Sequence, residues 1–274
     1  MLKTETVNGV RLAFELTGSG DVPLVTIHGS WSSHATWGQV AEELSQRYRV
    51  LTYDRRGHSA SERPVGQGTQ HEDVVDAASL IERLGLAPAY LAGISSGAEI
   101  AILLAAERPD LVRGLIAHEP AFVSLLKNDT EFSTMIADIE RNMVPVLDRI
   151  RAGDHAAAAE LFVETVALGP GTWAQLPDRM RQTMIENAPT FLDEETDPDN
   201  GRIDLGTLER FNGPALLTLG DQSPPFFEPI VRMVAEALPQ AALLTFTGAG
   251  HIPHATHPRE FAEAVTAFVD KHEG

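Results

Sequence analysis

The chain has 274 residues, 43% of them hydrophobic, enough for one sizeable core and one globular unit. Its 21 Lys and Arg against 39 Asp and Glu leave a formal net charge of −18, which argues against nucleic-acid phosphates and anionic membrane surfaces as partners. The absence of cysteine excludes disulfides, thiolate zinc sites and a cysteine nucleophile; with no apolar leader after Met1 and no run of membrane-spanning length, a cytoplasmic protein is expected.

Lys3–Val7 and Val10–Leu16 read as two short strands joined at Asn8-Gly9, a dipeptide that accepts the positive φ values of a tight hairpin, and this hairpin is expected at a sheet edge. Pro23–Ile27 is an apolar strand that runs into His28-Gly29-Ser30-Trp31, followed by a helical pattern from about His34 to Arg47. Tyr48–Tyr53 is the next strand, and Asp54–Ser59 after it reads as a mainly structural polar turn despite its His and two Arg. A helix from about Gln70 to Leu84 closes near Gly85.

Ala89–Ala92 then leads into Gly93-Ile94-Ser95-Ser96-Gly97 and, without a gap, into an Ala/Ile/Leu-rich helical run to about Glu107. A G-x-S-x-G between a strand and a helix is the pattern of a nucleophile elbow, with Ser95 at the tip and the Ser96 N–H at the helix start, where a developing oxyanion is stabilised. Val112–Ala117 is a strand whose far end carries His118-Glu119-Pro120. Strands alternating with helices in this way predict a mostly parallel, doubly wound sheet with its ligand crevice beyond the carboxyl ends of the strands.

From about Ala121 to Gly206 the alternation stops, and helices are predicted at Asp129–Ala152, Asp154–Leu168 and Thr172–Glu186. The domain expectation is therefore a core of residues 1–120 and 207–274 carrying a helical cap of residues 121–206. Phe122, Phe132, Met135, Phe162, Trp173 and Phe191 are candidates to line a pocket, against the alternative that they form the cap's own core. The acidic run Asp193–Asp197 is expected to be a solvated exit loop. Alternation returns with a strand at Pro214–Leu219, a helix from about Phe227 to Leu238 and a last strand at Ala242–Phe246; the Gly-rich loop to His251 and His254 follows, and His257-Pro258 opens a terminal helix.

A serine hydroxyl is a weak nucleophile until a base takes its proton, and the base needs a third group to fix its tautomer and stabilise its charge. Ser95 and His251 both fall at strand ends on one rim. At this point the chain resembles the α/β-hydrolase superfamily in its His28-Gly29 pair, the Gly93–Gly97 elbow, the inserted cap and the Gly-x-Gly-His loop before the last helix. The resemblance implies an α/β-hydrolase fold, a Ser95–acid–His251 triad, backbone oxyanion donors at Ser30 and Ser96, and no cofactor or metal.

The acid departs from the usual pattern, because the position three beyond the closing glycine of the Pro214–Leu219 strand is Ser223. Glu119, at the end of the preceding core strand, is favoured over Asp221, and fungal zearalenone lactonases look similar in having a His-Glu pair there. His28 is expected to be a structural hydrogen-bonder, while Trp31, with Trp173 and Phe122, is a candidate substrate contact. The function implied is cleavage of an ester or lactone of a neutral, fairly apolar small molecule by a monomer or homodimer. A carbon–carbon bond hydrolase and a non-catalytic small-molecule binding protein on the same fold remain the alternatives.

Overall fold

In the computed structural model, which describes residues 1–127 and 129–274, Asn8 and Gly9 take φ values of 47° and 78° and fold β1 (Lys3–Val7) back on β2 (Val10–Thr17). This hairpin forms one edge of an eight-stranded sheet. The other strands are β3 (Pro23–Ile27), β4 (Arg49–Tyr53), β5 (Ala89–Ile94), β6 (Val112–His118), β7 (Ala215–Gly220) and β8 (Ala241–Phe246). The spatial order is β1-β2-β4-β3-β5-β6-β7-β8; β2 is antiparallel to β4, and every later pairing is parallel. β3 and β5 are buried along their whole length, which is why both read as continuous apolar runs.

The chain leaves β3 toward β4 on one side and later resumes at β5 on the other, so the order reverses between β3 and β5. In open α/β sheets such a switch point opens a crevice beyond the carboxyl ends of the strands. The loops that leave those two ends carry Gly29-Ser30 and Ser95.

Helices cover both faces. α1 (Gly38–Leu44), after a 3-10 turn at His34–Trp37, packs with the terminal helix on one face. α2 (Gln70–Arg83) and α3 (Ser96–Glu107) cover the other. Between β6 and β7 lie α4 (Ser133–Arg151), α5 (His155–Phe162) with a π turn at Val163–Ala167, and α6 (Asp178–Thr196). After β7 come α7 (Phe227–Ala237), the short α8 (Pro253–Thr256) and α9 (Pro258–Glu273). Among the described residues, no helix is long and apolar enough to cross a membrane.

Two expectations about the inserted helices change. The last one runs from Asp178 through Pro189 to Thr196 instead of ending near Glu186. The acidic run is therefore the final turn of α6 and not a solvated loop: Glu194 pairs with the buried Arg55, and Asp197 accepts the Gln70 N–H at the start of α2 at 2.8 Å. An Asp at a helix N-terminus satisfies a donor that has no partner within the helix, which offsets the cost of burying the charge.

Candidate active site

Among the described residues, four non-glycine residues on the rim loops adopt left-handed backbone: Trp31 after β3 (φ 64°), Ser59 after β4 (φ 47°), Ser95 after β5 (φ 56°) and Glu119 after β6 (φ 45°). Such conformations cost about 1–3 kcal/mol each and persist only where surrounding packing imposes them. At the elbow the cause is the close approach of α3 to the sheet. A Cβ on Gly93 would lie 2.2 Å from the Gly97 carbonyl oxygen, and one on Gly97 would lie 2.2 Å from that of Ile27. Only glycine fits either position, and the turn between them is forced to be sharp enough to carry Ser95 at its tip.

Strand register sets the neighbours. Ile94 pairs with His118 and His118 with Thr218, so the residues leaving β5 and β6 sit side by side. The Ser95 N–H donates to the His118 carbonyl at 3.0 Å, and the Glu119 N–H to the Thr218 carbonyl at 3.1 Å. Glu119 is fully buried; one carboxylate oxygen accepts the Gly220 N–H at 2.7 Å, and the other lies 2.6 Å from His251 Nδ1. Burial alone would favour the neutral acid, but the His118 and His251 rings outweigh it and hold Glu119 far below the usual carboxylate range. Phe227 stacks on the His251 ring at 4.3 Å with planes 14° apart, so the imidazole is oriented by an aromatic face as well as by the carboxylate.

Asp221 is engaged elsewhere: its carboxylate accepts the Gly248 N–H at 2.8 Å and the Gln222 amide at 3.0 Å. His118 is buried with Nδ1 2.9 Å from the Thr218 hydroxyl, and its Nε2 stands 3.5 Å from Glu119. Ligand-capable atoms of His118, Glu119 and His251 all lie within 4.8 Å of one another. Both Glu119 oxygens already serve Gly220 and His251, so the donor set reads as a hydrogen-bonded chain and not as an open coordination sphere.

Ser95 and His251 line one cavity of about 100 Å³, open to solvent, with Ser30 and Trp31 beside them. Its remaining wall is mostly apolar and comes largely from the inserted helices, including Phe162, Leu168, Leu176 and Met184. Val163 and Ala167 of the π turn also face it, a departure from α-helical spacing of a kind common at functional sites. Among the described residues, no Asp, Glu, Lys or Arg lines this space. Its lining is uncharged and largely apolar.

Among the described residues, neither the Ser30 nor the Ser96 N–H meets a protein acceptor, and the two hydroxyls bond to each other at 3.0 Å. His28 is buried and held neutral, first by burial and then by the charges near it. Its Nε2 accepts the Arg55 N–H at 3.0 Å, so its Nδ1 carries the proton given to the Gly29 carbonyl at 2.8 Å.

The expected substrate contacts divide. Trp31 lines the cavity while stacking on Phe162 at 5.0 Å and packing on Phe191 at 4.6 Å. Phe122 does not line it: it is fully buried in the sheet's own core, where burying a large apolar face is the more favourable use. Trp173 does not line it either, because its ring packs in the core of the inserted helices and against the Arg181 guanidinium. Met180 and Thr183 of α6 and Ile252 beside His251 line the cavity and were not anticipated; only their place in the assembled fold marks them.

A parallel sheet reversing beside a serine elbow, with a His and a buried acid on the same rim, defines a hydrolase-like class of α/β protein. Residues 24–264 match the alpha/beta hydrolase family, and the chain belongs to that family. Among curated proteins it is 28% identical over 273 residues to the sn-1-specific diacylglycerol lipase ABHD11 of Mus musculus, covering 93% of this chain and 83% of that one. It is 30% identical over 285 residues to the putative non-heme bromoperoxidase BpoC of Mycobacterium tuberculosis, covering 94% and 97%. Among solved structures, an enol-lactonase from Burkholderia xenovorans LB400 superposes with a TM-score of 0.78 at 22% identity, covering 98% of this chain and all of that one. A thermophilic esterase from Thermogutta terrifontis gives 0.78 at 24% identity, covering 100% and 98%. At such identities these two structures speak for the fold alone.

Proposed function

We propose that this hydrolase cleaves an ester or lactone of a neutral, fairly apolar small molecule through an acyl-enzyme, with Ser95 as nucleophile, His251 as general base and Glu119 as the acid. The observation that carries the reading is the 2.6 Å contact of the Glu119 carboxylate with His251 Nδ1, on the rim of the apolar cavity that Ser95 also lines. With its Nδ1 proton held by Glu119, the ring presents Nε2 as the base that takes the Ser95 proton, and the carboxylate stabilises the imidazolium that results. The Ser95 oxygen then attacks the carbonyl carbon. The Ser30 and Ser96 N–H groups receive the oxygen as it becomes negative, the protonated His251 delivers its proton to the leaving alkoxide, and water repeats the cycle on the acyl-enzyme.

In this reading residues 1–120 and 207–274 form the catalytic core, and residues 121–206 act as a cap whose α5 and α6 select the substrate. The related lipase supports acyl chemistry without specifying the substrate. Peptide mapping after treatment with a fluorophosphonate should place the label on Ser95, and Ser95→Ala should reduce turnover of the best substrate by at least about 10⁴ while the protein stays folded. A panel of p-nitrophenyl esters, lactones and β-diketones separates ester and lactone cleavage from carbon–carbon cleavage. Turnover confined to diketones would replace the proposed reaction, and an unlabelled Ser95 would remove it.

A further inference from the structure

Arg55 is almost completely buried, and it contacts more of the site's surroundings than a structural turn residue requires. One guanidinium nitrogen donates to the Ser96 hydroxyl at 3.0 Å, and that oxygen also accepts the Ser30 hydroxyl at 3.0 Å. The other terminal nitrogen pairs with Asp73 of α2 at 2.8 Å and with Glu194 of α6. The Arg55 N–H meanwhile fixes His28, whose Nδ1 proton holds the Gly29 carbonyl. In a trans peptide the C=O and the following N–H point in opposite directions, so holding the Gly29 carbonyl aims the Ser30 N–H.

We propose that Arg55 is a positioning residue that sets the two oxyanion donors, Ser30 N–H and Ser96 N–H, at once, and that Glu194 ties this setting to the inserted helices. The proposal rests on the reading of Ser95 as nucleophile. Its logic is that donors aimed in advance cost no reorganisation when charge develops on the substrate oxygen, so anything that loosens them is felt in the transition state more than in substrate binding. The side chain clamps the Ser30 and Ser96 side chains to each other, while the backbone of the same residue orients the Gly29–Ser30 peptide. Asp73 and Glu194 outweigh the burial that opposes the charge, which keeps the clamp cationic. Lysine could retain the charge but, as a single point donor, it could not reach Ser96, Asp73 and Glu194 with a planar fork.

The test uses the full-length protein with p-nitrophenyl butyrate as substrate, a trifluoromethyl ketone as transition-state mimic, and fluorophosphonate labelling of Ser95. Arg55→Lys and Ser96→Ala should each lower kcat by on the order of 10-fold to 100-fold with KM little changed, and should weaken the ketone by a similar factor. The double variant Arg55→Lys/Ser96→Ala should be no worse than the poorer single one, because both changes break the same clamp. Glu194→Gln, which leaves Asp73 on Arg55, should show the same kcat pattern in milder form. Losses that multiply in the double variant, or that fall on KM alone, would overturn the proposal. Should Arg55→Lys fail to fold, Ser96→Ala decides by itself, since it keeps the N–H and the buried ion pairs; an unchanged kcat there refutes the clamp. A wild-type protein that resists the fluorophosphonate would overturn the nucleophile reading and this inference together, whereas normal wild-type labelling with indifferent variants overturns only the inference.

Discussion

Glu119 at the end of β6 and Glu99 in the first turn of α3 are both taken out of water, with 0% and 1% of their surface exposed, yet they carry opposite charge states. Burial opposes ionisation of both. At Glu119 two imidazoles outweigh it, and the acid stays ionised. At Glu99 the neighbouring Glu194 and Glu195 add to burial, Arg55 and the Gln70 amide compensate only in part, and the group is pushed up to about 8. The difference teaches that burial by itself does not make a carboxylate catalytic. Two imidazoles facing the charged form make Glu119 a charge source, while at Glu99 one amide and a shared Arg55 do not offset two neighbouring acids, and the side chain is protonated.

The largest expected effect breaks the first half of this contrast. Glu119→Gln keeps the shape but removes the charge facing His251, and kcat/KM should fall by about 10²–10⁴. Asp221→Asn, measured in parallel with folding checked by circular dichroism, should change it by no more than a few fold. A crippling Asp221→Asn beside a nearly silent Glu119→Gln would transfer the acid role to Asp221.

The second prediction concerns Glu99 and stability. Its value in the folded protein lies above that of an unfolded glutamate, so its contribution is complete below about 4.5 and is lost progressively as pH rises toward about 8. Glu195, pushed up to about 7 by burial and by Glu194, acts in the same sense. Below about 6.5 the buried histidines His28, His58, His118 and His254, whose values burial lowers in the fold, protonate in the unfolded chain and act in the opposite sense, so thermal melts should show Tm declining only from about 6.5 toward about 8, by about 2 °C per pH unit for a loss of about 1 kcal/mol. Glu119, ionised in both states there, adds no slope. Glu99→Gln should flatten the decline and leave the variant more stable than the parent at alkaline pH; an unchanged slope would mean that Glu99 is charged.

The smallest effect sharpens the comparison from the Glu119 side. Thr218→Val is nearly isosteric but leaves His118 Nδ1 without its partner in a buried site, at a cost of about 1–3 kcal/mol in stability. If the His118 ring helps keep Glu119 ionised, kcat/KM should also fall a few fold. Full activity in a destabilised variant would make His118 a packing residue only.

Much of this arrangement is legible along the chain. The Asn8-Gly9 turn, the fully apolar β3 and β5 and the Gly93–Gly97 elbow are local: each follows from φ preferences, from strand periodicity or from a steric demand within a few residues. The end of α6 was not legible, because Pro189 and five acidic or polar residues favour a chain exit by every local criterion. Helix continuation there depends on docking. Glu194 meets Arg55 across 139 positions, and Asp197 meets the α2 N-terminus across 127. Phe122 and Trp173 were misplaced for the same reason, since a large aromatic residue at helical spacing looks alike whether it faces a cavity or a core.

The sequence by itself determined the order of strands and helices, the alternation that makes the sheet parallel, the serine at a strained turn and a histidine at a later strand end. Those features depend on periodicity, glycine sterics and chain direction, all of which act over short separations. Only the tertiary structure decided that Glu119 meets His251 across 132 residues, that Asp221 turns to Gly248, that Arg55 reaches Ser96, Asp73 and Glu194 together, and that Glu99 is buried where Arg55 only partly offsets the acids beside it. The reason is physical: a carboxylate's partner and protonation state follow from the dielectric and the donors that assembly brings around it, and no local pattern of residues encodes either.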